Sequence, residues 1–374
     1  MNEAFAFTDD IGPAKIIHVH EPRLGLRGTL VVDNVASGPA IGGLRMAPDV
    51  STQECFRLAR AMTLKNAAAG LAHGGGKSVL YGDPRMPPAQ KEELVRAFAH
   101  ALRHERDYIF GPDMGTDEGC MAWVRDELAD QGGRAVGLPR EIGGIPLDEI
   151  GATGWGLAQA ALPAVAHCDM PLTGARVVIQ GFGAVGMHAA RFLAARGAVL
   201  VGAADTGGTL HDPGGLDVAA LIALKHAGKS VCAYPGGTKS ARAAVIDIAC
   251  EIWIPAARPD VIDESNVDRL DTRLVLQGAN IPVTPGAERR LHERGILCVP
   301  DFIANAGGVI CAAVEYHGGS EAAALAAIEE RVSRNTEEVL ADVKRRGVLP
   351  RQAALDMAGA RVRKAMALRR FGIF

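Results

Sequence analysis

The chain has no C-x-x-C pair, no apolar run approaching the length of a membrane span, and almost no surplus of charge of either sign. Its seven cysteines, at positions 55, 120, 168, 232, 250, 298 and 311, are scattered, several of them inside apolar stretches. That excludes a disulfide frame and fits reduced thiols in a cytoplasmic protein. A formal net charge of −3 gives no electrostatic case for a nucleic-acid partner, and the missing apolar span gives none for a membrane. The first residues, Met1-Asn2-Glu3-Ala4-Phe5, offer neither a basic nor an apolar leader region, so no signal peptide is expected. The basic cluster Arg361, Arg363, Lys364, Arg369 and Arg370 reads as a solvated helix face. There is no internal repeat and no low-complexity linker.

What is present is enough chain for two cores: 374 residues with ordinary apolar content. The expected fold class is α/β with two domains and a cleft between them. A substrate-binding and oligomerisation domain is assigned to residues 1–147, and a doubly wound, Rossmann-type dinucleotide-binding domain to 148–330. C-terminal helices, 331–374, are expected to pack back on the first domain. In the first part, Lys15–Val19 and Gly28–Asp33 read as strands. His18 and His20 share one face of the former, but without a third ligand they read as surface residues, and no metal is expected. Ser51-Thr52-Gln53-Glu54 is a capping box, in which the Glu54 carboxylate should return to the Ser51 amide. Cys55, Leu58, Ala59 and Met62 then recur at helical spacing until Gly70. Helices are expected from Pro88 to Arg106 and over about 116–130, around a short strand at Tyr108-Ile109-Phe110.

From about residue 150 strands and helices alternate. Arg176–Gln180 is a continuous apolar strand, followed by Gly181-Phe182-Gly183-Ala184-Val185-Gly186 and a helix. A lone G-x-G-x-x-G is weak, but this one follows a buried strand, opens a helix, and has Asp205 nineteen residues on, at the end of the next strand. Gly181 allows the tight turn, Gly183 the approach of a pyrophosphate, and Gly186 close helix–strand packing. The helix N-terminus offers amides to the phosphates. Asp205 can accept from the ribose hydroxyls, and no Arg or Lys follows directly in Asp205-Thr206-Gly207-Gly208-Thr209. NAD is therefore expected over NADP, although another loop could bring in a cation. Ala256, after the strand Ile252–Pro255, is placed with the cofactor.

Two lysines twelve residues apart, Lys65 and Lys77, suggest a second site. Lys65 closes the amphipathic helix in an apolar neighbourhood. Lys77 follows Gly74-Gly75-Gly76, read here as a loop whose glycines let backbone come close to something. Asp113, bracketed by Gly111 and Gly115, can deliver a carboxylate to the same place.

The stretches Met62-Thr63-Leu64-Lys65-Asn66, Gly74-Gly75-Gly76-Lys77, Tyr81-Gly82-Asp83-Pro84, Gly42-Gly43-Leu44-Arg45-Met46, Pro112-Asp113-Met114-Gly115-Thr116, Gly278-Ala279-Asn280 and Pro300-Asp301 through Gly307-Gly308-Val309 resemble the amino acid dehydrogenase superfamily (glutamate, leucine, phenylalanine and valine dehydrogenases). They span about residues 25–315 in the family's order. The resemblance implies that Lys65 holds the substrate α-carboxylate, with Gly42 and Gly43 beside it. It implies that Lys77 is the catalytic lysine and Asp113 its acid/base partner, and that Thr153 and Asn280 lie near substrate and nicotinamide. Lys77, buried beside a second cation, is expected to serve as a base. An oligomer of identical chains is also implied, without a number.

For the substrate side chain the motifs divide. Glutamate enzymes carry a lysine before Gly-Gly-x-Arg and a serine after Gly-Gly-Val; here Ile41 and Ala312 stand there. A carboxylate beside Ile41 loses hydration uncompensated, at several kcal/mol, whereas an apolar side chain gains about 0.8 kcal/mol per buried CH₂. With Val309 also lining the pocket, the expectation is NAD-dependent oxidative deamination of an apolar L-amino acid of the Leu, Val, Ile, Phe class. Glutamate dehydrogenase is the alternative, with Arg45 or Arg140 as a replacement cation. A non-catalytic NAD-binding regulator is a third reading.

Overall fold

The computed structural model describes residues 5–129 and 132–369 of the chain. Its internal contacts group the residues into two compact units. The first comprises 5–146, 309–324 and 356–369 of the described residues; the second comprises 147–308 and 325–355.

The first unit is built on β1 (Lys15–Glu21), β2 (Leu26–Asn34), β3 (Ala40–Ala47), β4 (Gly74–Tyr81) and β5 (Tyr108–Pro112), with α1 (Thr52–Ala68), α2 (Pro88–Ala101) and α3 (Glu118–Glu127). The sheet order is β1-β2-β4-β3-β5. β4 runs antiparallel to β2 and parallel to β3, which is parallel to β5. Side chains alternate between faces along a strand, and both faces are covered. Leu30, Val32, Leu44, Met46 and Leu80 pack against Phe98 of α2 and Met121 and Val124 of α3. Val31 and Val79 pack on the other face against Cys55 and Ala59 of α1.

The triple glycine is not a loop. Gly74, Gly75 and Gly76 open β4, an interior strand, and their missing side chains let three segments close in. A Cβ on Gly74 would strike the carbonyl of Asn34, one on Gly75 the backbone of Thr63 in α1, and one on Gly76 the Tyr108 ring. α1 is capped by the Ser51 hydroxyl, which accepts from the Glu54 amide at 3.1 Å. The reciprocal half of the capping box is not made, because the Glu54 carboxylate is engaged by Arg45. α2 and α3 are each a few residues shorter than their apolar periodicity suggested.

The second unit contains α4 (Leu147–Ile150), α5 (Ala152–His167), β6 (Arg176–Gln180), α6 (Ala184–Ala194), β7 (Val199–Asp205), β8 (Gly208–His211), α7 (Val218–His226), β9 (Thr238–Ser240), β10 (Ile252–Pro255), β11 (Leu274–Leu276), α8 (Pro285–Glu293), β12 (Leu297–Val299) and α9 (Asp301–Ala304). Its seven-stranded sheet has the order β12-β11-β10-β6-β7-β8-β9. It is parallel from β12 to β7, and β8 and β9 add an antiparallel edge that the sequence did not reveal. This is the doubly wound sheet expected from the alternating pattern.

The last helices are α10 (Gly307–Tyr316), α11 (Glu321–Arg346) and α12 (Pro350–Leu368). They do not form one C-terminal layer. Residues 309–324 and 356–369 group with the first unit, but 325–355 group with the second. The C-terminal arginines are also not a free solvated face. Arg361 donates to the carbonyls of Ala67 and Ala68 at the end of α1. Arg363 pairs with Asp10, and Arg369 donates to the Ala36 carbonyl. Lys364 is exposed, and Arg370 lies outside the described residues.

Among the described residues no helix is long and apolar enough to cross a membrane, and no three metal-ligating side chains stand together. All seven cysteines are free thiols, five of them buried.

Candidate active site

β4 delivers Lys77 to the sheet face covered by α1, where only 5% of the residue is exposed. Its Nζ lies 2.9 Å from Asp113 Oδ2, at the start of the turn after β5. The same oxygen accepts from Arg45 Nε at 2.8 Å, and Arg45 Nη1 reaches Glu54 Oε1 at 2.6 Å. Burial alone would raise the Asp113 carboxyl, but the charges and hydrogen bonds of Lys77 and Arg45 outweigh it and hold the group below the usual carboxylate range. Asp113 is further fixed by its own amide, which donates to Thr116 Oγ1 at 3.0 Å.

Gly43 stands where no side chain would fit. A Cβ on it would lie 2.8 Å from Asp113 Cβ and 3.1 Å from Lys77 Nζ. Gly42 faces the other way, where a Cβ would strike the Gly76 carbonyl. By strand parity Ile41, Gly43 and Arg45 of β3 share the α1 face with Lys77. Ile41 is buried there. Lys65 sits in the last turn of α1, half-buried, on the helix that covers this face. Val309 and Ala312 lie on α10, half-buried and buried respectively.

In the second unit each glycine of the G-x-G-x-x-G has its own reason. Gly181 has φ +98° and would strike Ala256 and Ala257 if it carried a Cβ. Gly186 lies against the Gly181 carbonyl and Ile179. At Gly183 a Cβ would meet nothing. Gly183 is the N-cap of α6 and has no side-chain cap, so the first-turn amides around Ala184 and Val185 are free for a phosphate. The cradle thus fits a dinucleotide. Phe182 is buried under it, its amide donating to Ala204 O at 2.9 Å, which joins the loop to the residue before Asp205. Ala256 is half-buried, its amide on Gln180 O at 2.7 Å.

Asp205 departs from expectation. Its Oδ1 accepts from Gly207 N at 2.9 Å and Ser230 Oγ at 2.7 Å, and its Oδ2 from Lys225 Nζ at 2.7 Å and Val231 N at 2.9 Å. A carboxylate has about four acceptor positions, so none is left over for ribose hydroxyls. Burial raises this carboxyl, and the four donors together bring it below its ordinary value.

Thr153 lies in the first turn of α5, after Gly151 in the left-handed conformation. Gly307 packs on that turn, where a Cβ would strike the Ala152 carbonyl. Asn280 is exposed, and its Oδ1 accepts from Asn305 Nδ2 at 3.1 Å. Asp301 Oδ2 holds the next amide, Ile281 N, at 2.9 Å, while Asp301 Oδ1 faces Arg351 Nη1 at 2.9 Å. Arg351 also pairs with Glu288 and donates to Gln277. The supports Lys225, Asp301, Asn305, Arg351 and Arg361 went unnoticed in the sequence as site residues. Arg45 was noted there only as a spare cation. Only the motif around Asp301 and Asn305 carried a signal for any of them.

The chain is similar to known proteins along both units. Residues 143–370 match the model of the Glutamate/Leucine/Phenylalanine/Valine dehydrogenase family, and 13–130 match that of the Glu/Leu/Phe/Val dehydrogenase dimerisation domain. The chain belongs to this family. It is 39% identical over 303 residues to the NADP(+)-dependent glutamate dehydrogenase of Pyrobaculum calidifontis, covering 77% of this chain and 72% of that one. It is 38% identical over 293 residues to the NAD-specific glutamate dehydrogenase of Staphylococcus aureus, covering 76% and 70%. The hetero-hexameric glutamate dehydrogenase of Thermus thermophilus, solved in a Leu-bound form, superposes with a TM-score of 0.84 at 29% identity, over 97% of this chain and 91% of that one.

Proposed function

We propose that this protein catalyses the reversible oxidative deamination of an L-amino acid to the 2-oxo acid and ammonia with a nicotinamide dinucleotide. The observation that carries the reading is the ion pair of buried Lys77 with half-buried Asp113, in a chain of this family. Lys65 holds the α-carboxylate. The dinucleotide, seated on the α6 cradle, supplies the hydride acceptor for the Cα–H. Once an iminium has formed on the substrate, Lys77 takes a proton from the attacking water, and Asp113 passes protons as ammonia leaves.

Glutamate is the substrate that the relatives' names support best, better than the apolar amino acid read from the sequence. The apolar reading has specific observations of its own. Ile41 and Ala312 stand where two γ-carboxylate partners would be, and Ile41 shares the face of Lys77. The two arginines that could replace those partners are committed, Arg45 to Asp113 and Glu54, and Arg140 to Glu321 at 2.7 Å. Specificity for one methylene amounts to only about 1–3 kcal/mol, so one panel decides. Oxidation of Glu, Leu, Val, Phe and Trp is measured with NAD and with NADP. Glutamate turnover at or above the others supports the first reading. Leucine or phenylalanine exceeding glutamate a hundredfold replaces it with the second. Dinucleotide binding without turnover of any amino acid points to a regulator. The dimerisation-domain match and the hetero-hexameric relative support assembly into an oligomer, which light scattering on the purified protein would size.

A further inference from the structure

Asp113 is served by two cations, and both stand on the same oxygen. Lys77 Nζ lies 2.9 Å and Arg45 Nε 2.8 Å from Oδ2. β3 and β5 are parallel with Leu44 beside Pro112, so the next residue of each chain segment brings Arg45 level with Asp113. At its other end Arg45 Nη1 meets Glu54 Oε1 at 2.6 Å, in the first turn of α1. A guanidinium is a rigid planar fork, so one side chain ties two carboxylates in fixed directions. A carboxylate paired with a lysine alone can turn and offer either oxygen. Here that turn is resisted, and Oδ1 is the oxygen left to a substrate, on a side chain 21% exposed.

We propose that Arg45 is a positioning residue of the reaction: anchored by Glu54, it shares Oδ2 of Asp113 with Lys77 and so makes Oδ1 the atom that exchanges protons with the substrate nitrogen. This rests on the reading of Lys77 and Asp113 as the proton-transferring pair. The charges alternate from Glu54 through Arg45 and Asp113 to Lys77, so the row is neutral as a whole. The charged groups that face Asp113 are Lys77 of β4 and Arg45 of β3, with Glu54 of α1 behind Arg45. Lys65 lies farther along α1, in its last turn. The nearby Tyr108 phenol and Cys55 thiol stay neutral, since burial pushes both up. Burial would also raise the Asp113 carboxyl, and Arg45 is one of the two cations that offset this. Loss of Arg45 therefore moves the Asp113 carboxyl upward.

The pH dependence of turnover tests this apart from a structural role. Arg45→Gln should lower kcat about a hundredfold and change KM for the amino acid less than threefold. The acid limb of its kcat/KM profile should move up by about 1 pH unit or more. Arg45→Lys keeps a cation on Oδ2 and should hold the acid limb near its wild-type position. A lowered kcat with an unmoved acid limb in Arg45→Gln would make Arg45 a structural tie only and overturn the proposal. So would a raised KM at unchanged kcat, which would place Arg45 on the substrate itself. Should Arg45→Gln fail to fold, Glu54→Ala asks the same question from the far end, with the Ser51 cap of α1 intact because it uses the Glu54 amide. Its kcat should fall at least fivefold at constant KM, and a wild-type kcat there overturns the proposal. A wild type that turns over no amino acid at any pH overturns the enzymatic reading itself and this proposal with it, whereas the preceding outcomes count against Arg45 alone.

Discussion

Asp301 Oδ2 accepts the backbone amide of Ile281 at 2.9 Å, and Ile281 holds a positive φ of 43°. A β-branched residue in that conformation costs about 1–2 kcal/mol, so the bond stabilises the turn that presents Asn280. Asp301→Ala should lower stability by about 2–3 kcal/mol, because Arg351 also loses a buried partner. It should raise KM for the amino acid as Asn280 loses its placement. Ile281→Asn, which tolerates the left-handed region, should keep activity and gain up to about 1 kcal/mol. Thermal melts and initial rates measure both.

Lys77→Ala should abolish most turnover, by about 10³-fold or more if it serves as general base. NADH binding, measured by fluorescence, should not change, since the dinucleotide cradle lies on α6. Turnover retained in this variant would remove the assigned role.

Gly43→Ala adds one methyl group 2.8 Å from Asp113 Cβ and 3.1 Å from Lys77 Nζ. A displacement of that size in a catalytic pair costs about 10²-fold. We expect kcat to fall by that order while cofactor affinity stays the same.

Asp113 is held below the usual carboxylate range by Lys77 and Arg45 despite its burial. Its contribution to stability is therefore complete above about pH 4, the unfolded value, and is lost as pH falls through the lowered folded value. Urea unfolding of the wild type and Asp113→Asn should show a stability gap at pH 6 that closes as the pH is taken below about 4.

Arg361 donates to Ala67 O at 3.2 Å and Ala68 O at 2.7 Å, where α1 ends and its carbonyls point outward. Arg361→Ala should cost about 1–2 kcal/mol. Because Lys65 lies in that same last turn, KM for the amino acid should rise more than kcat falls. Steady-state kinetics separates this from simple destabilisation.

Much of this was readable where apolar runs are unbroken. β6 and β10, buried on both faces, run where their continuous apolar stretches place them. β8 and β9 escaped because, at four and three residues, they are too short for a periodicity to show. Lys77 and Asp113 could be paired in advance because each stands beside glycines that ordinary packing would not choose. Lys225 could not be, since it comes from a helix twenty residues beyond Asp205. Gly74, Gly75 and Gly76 were read correctly as sites of close approach, but the approach is of protein to protein, inside a strand. The substrate side chain is the least legible part, because it depends on residues such as Ile41 and Ala312 that look like ordinary core.

The division of the chain into 5–146, 309–324 and 356–369 on one side and 147–308 and 325–355 on the other bears on how the protein is made. The Glu315 carboxylate that receives the amides of Leu138 and Ile145, and the Arg361 guanidinium that closes α1, belong to segments translated long after the sheet they serve. During synthesis the amino-terminal unit must wait, incomplete, until nearly the whole polypeptide has left the ribosome. A fragment ending at residue 146 would keep Lys65, Lys77 and Asp113 yet lack these groups that finish their scaffold.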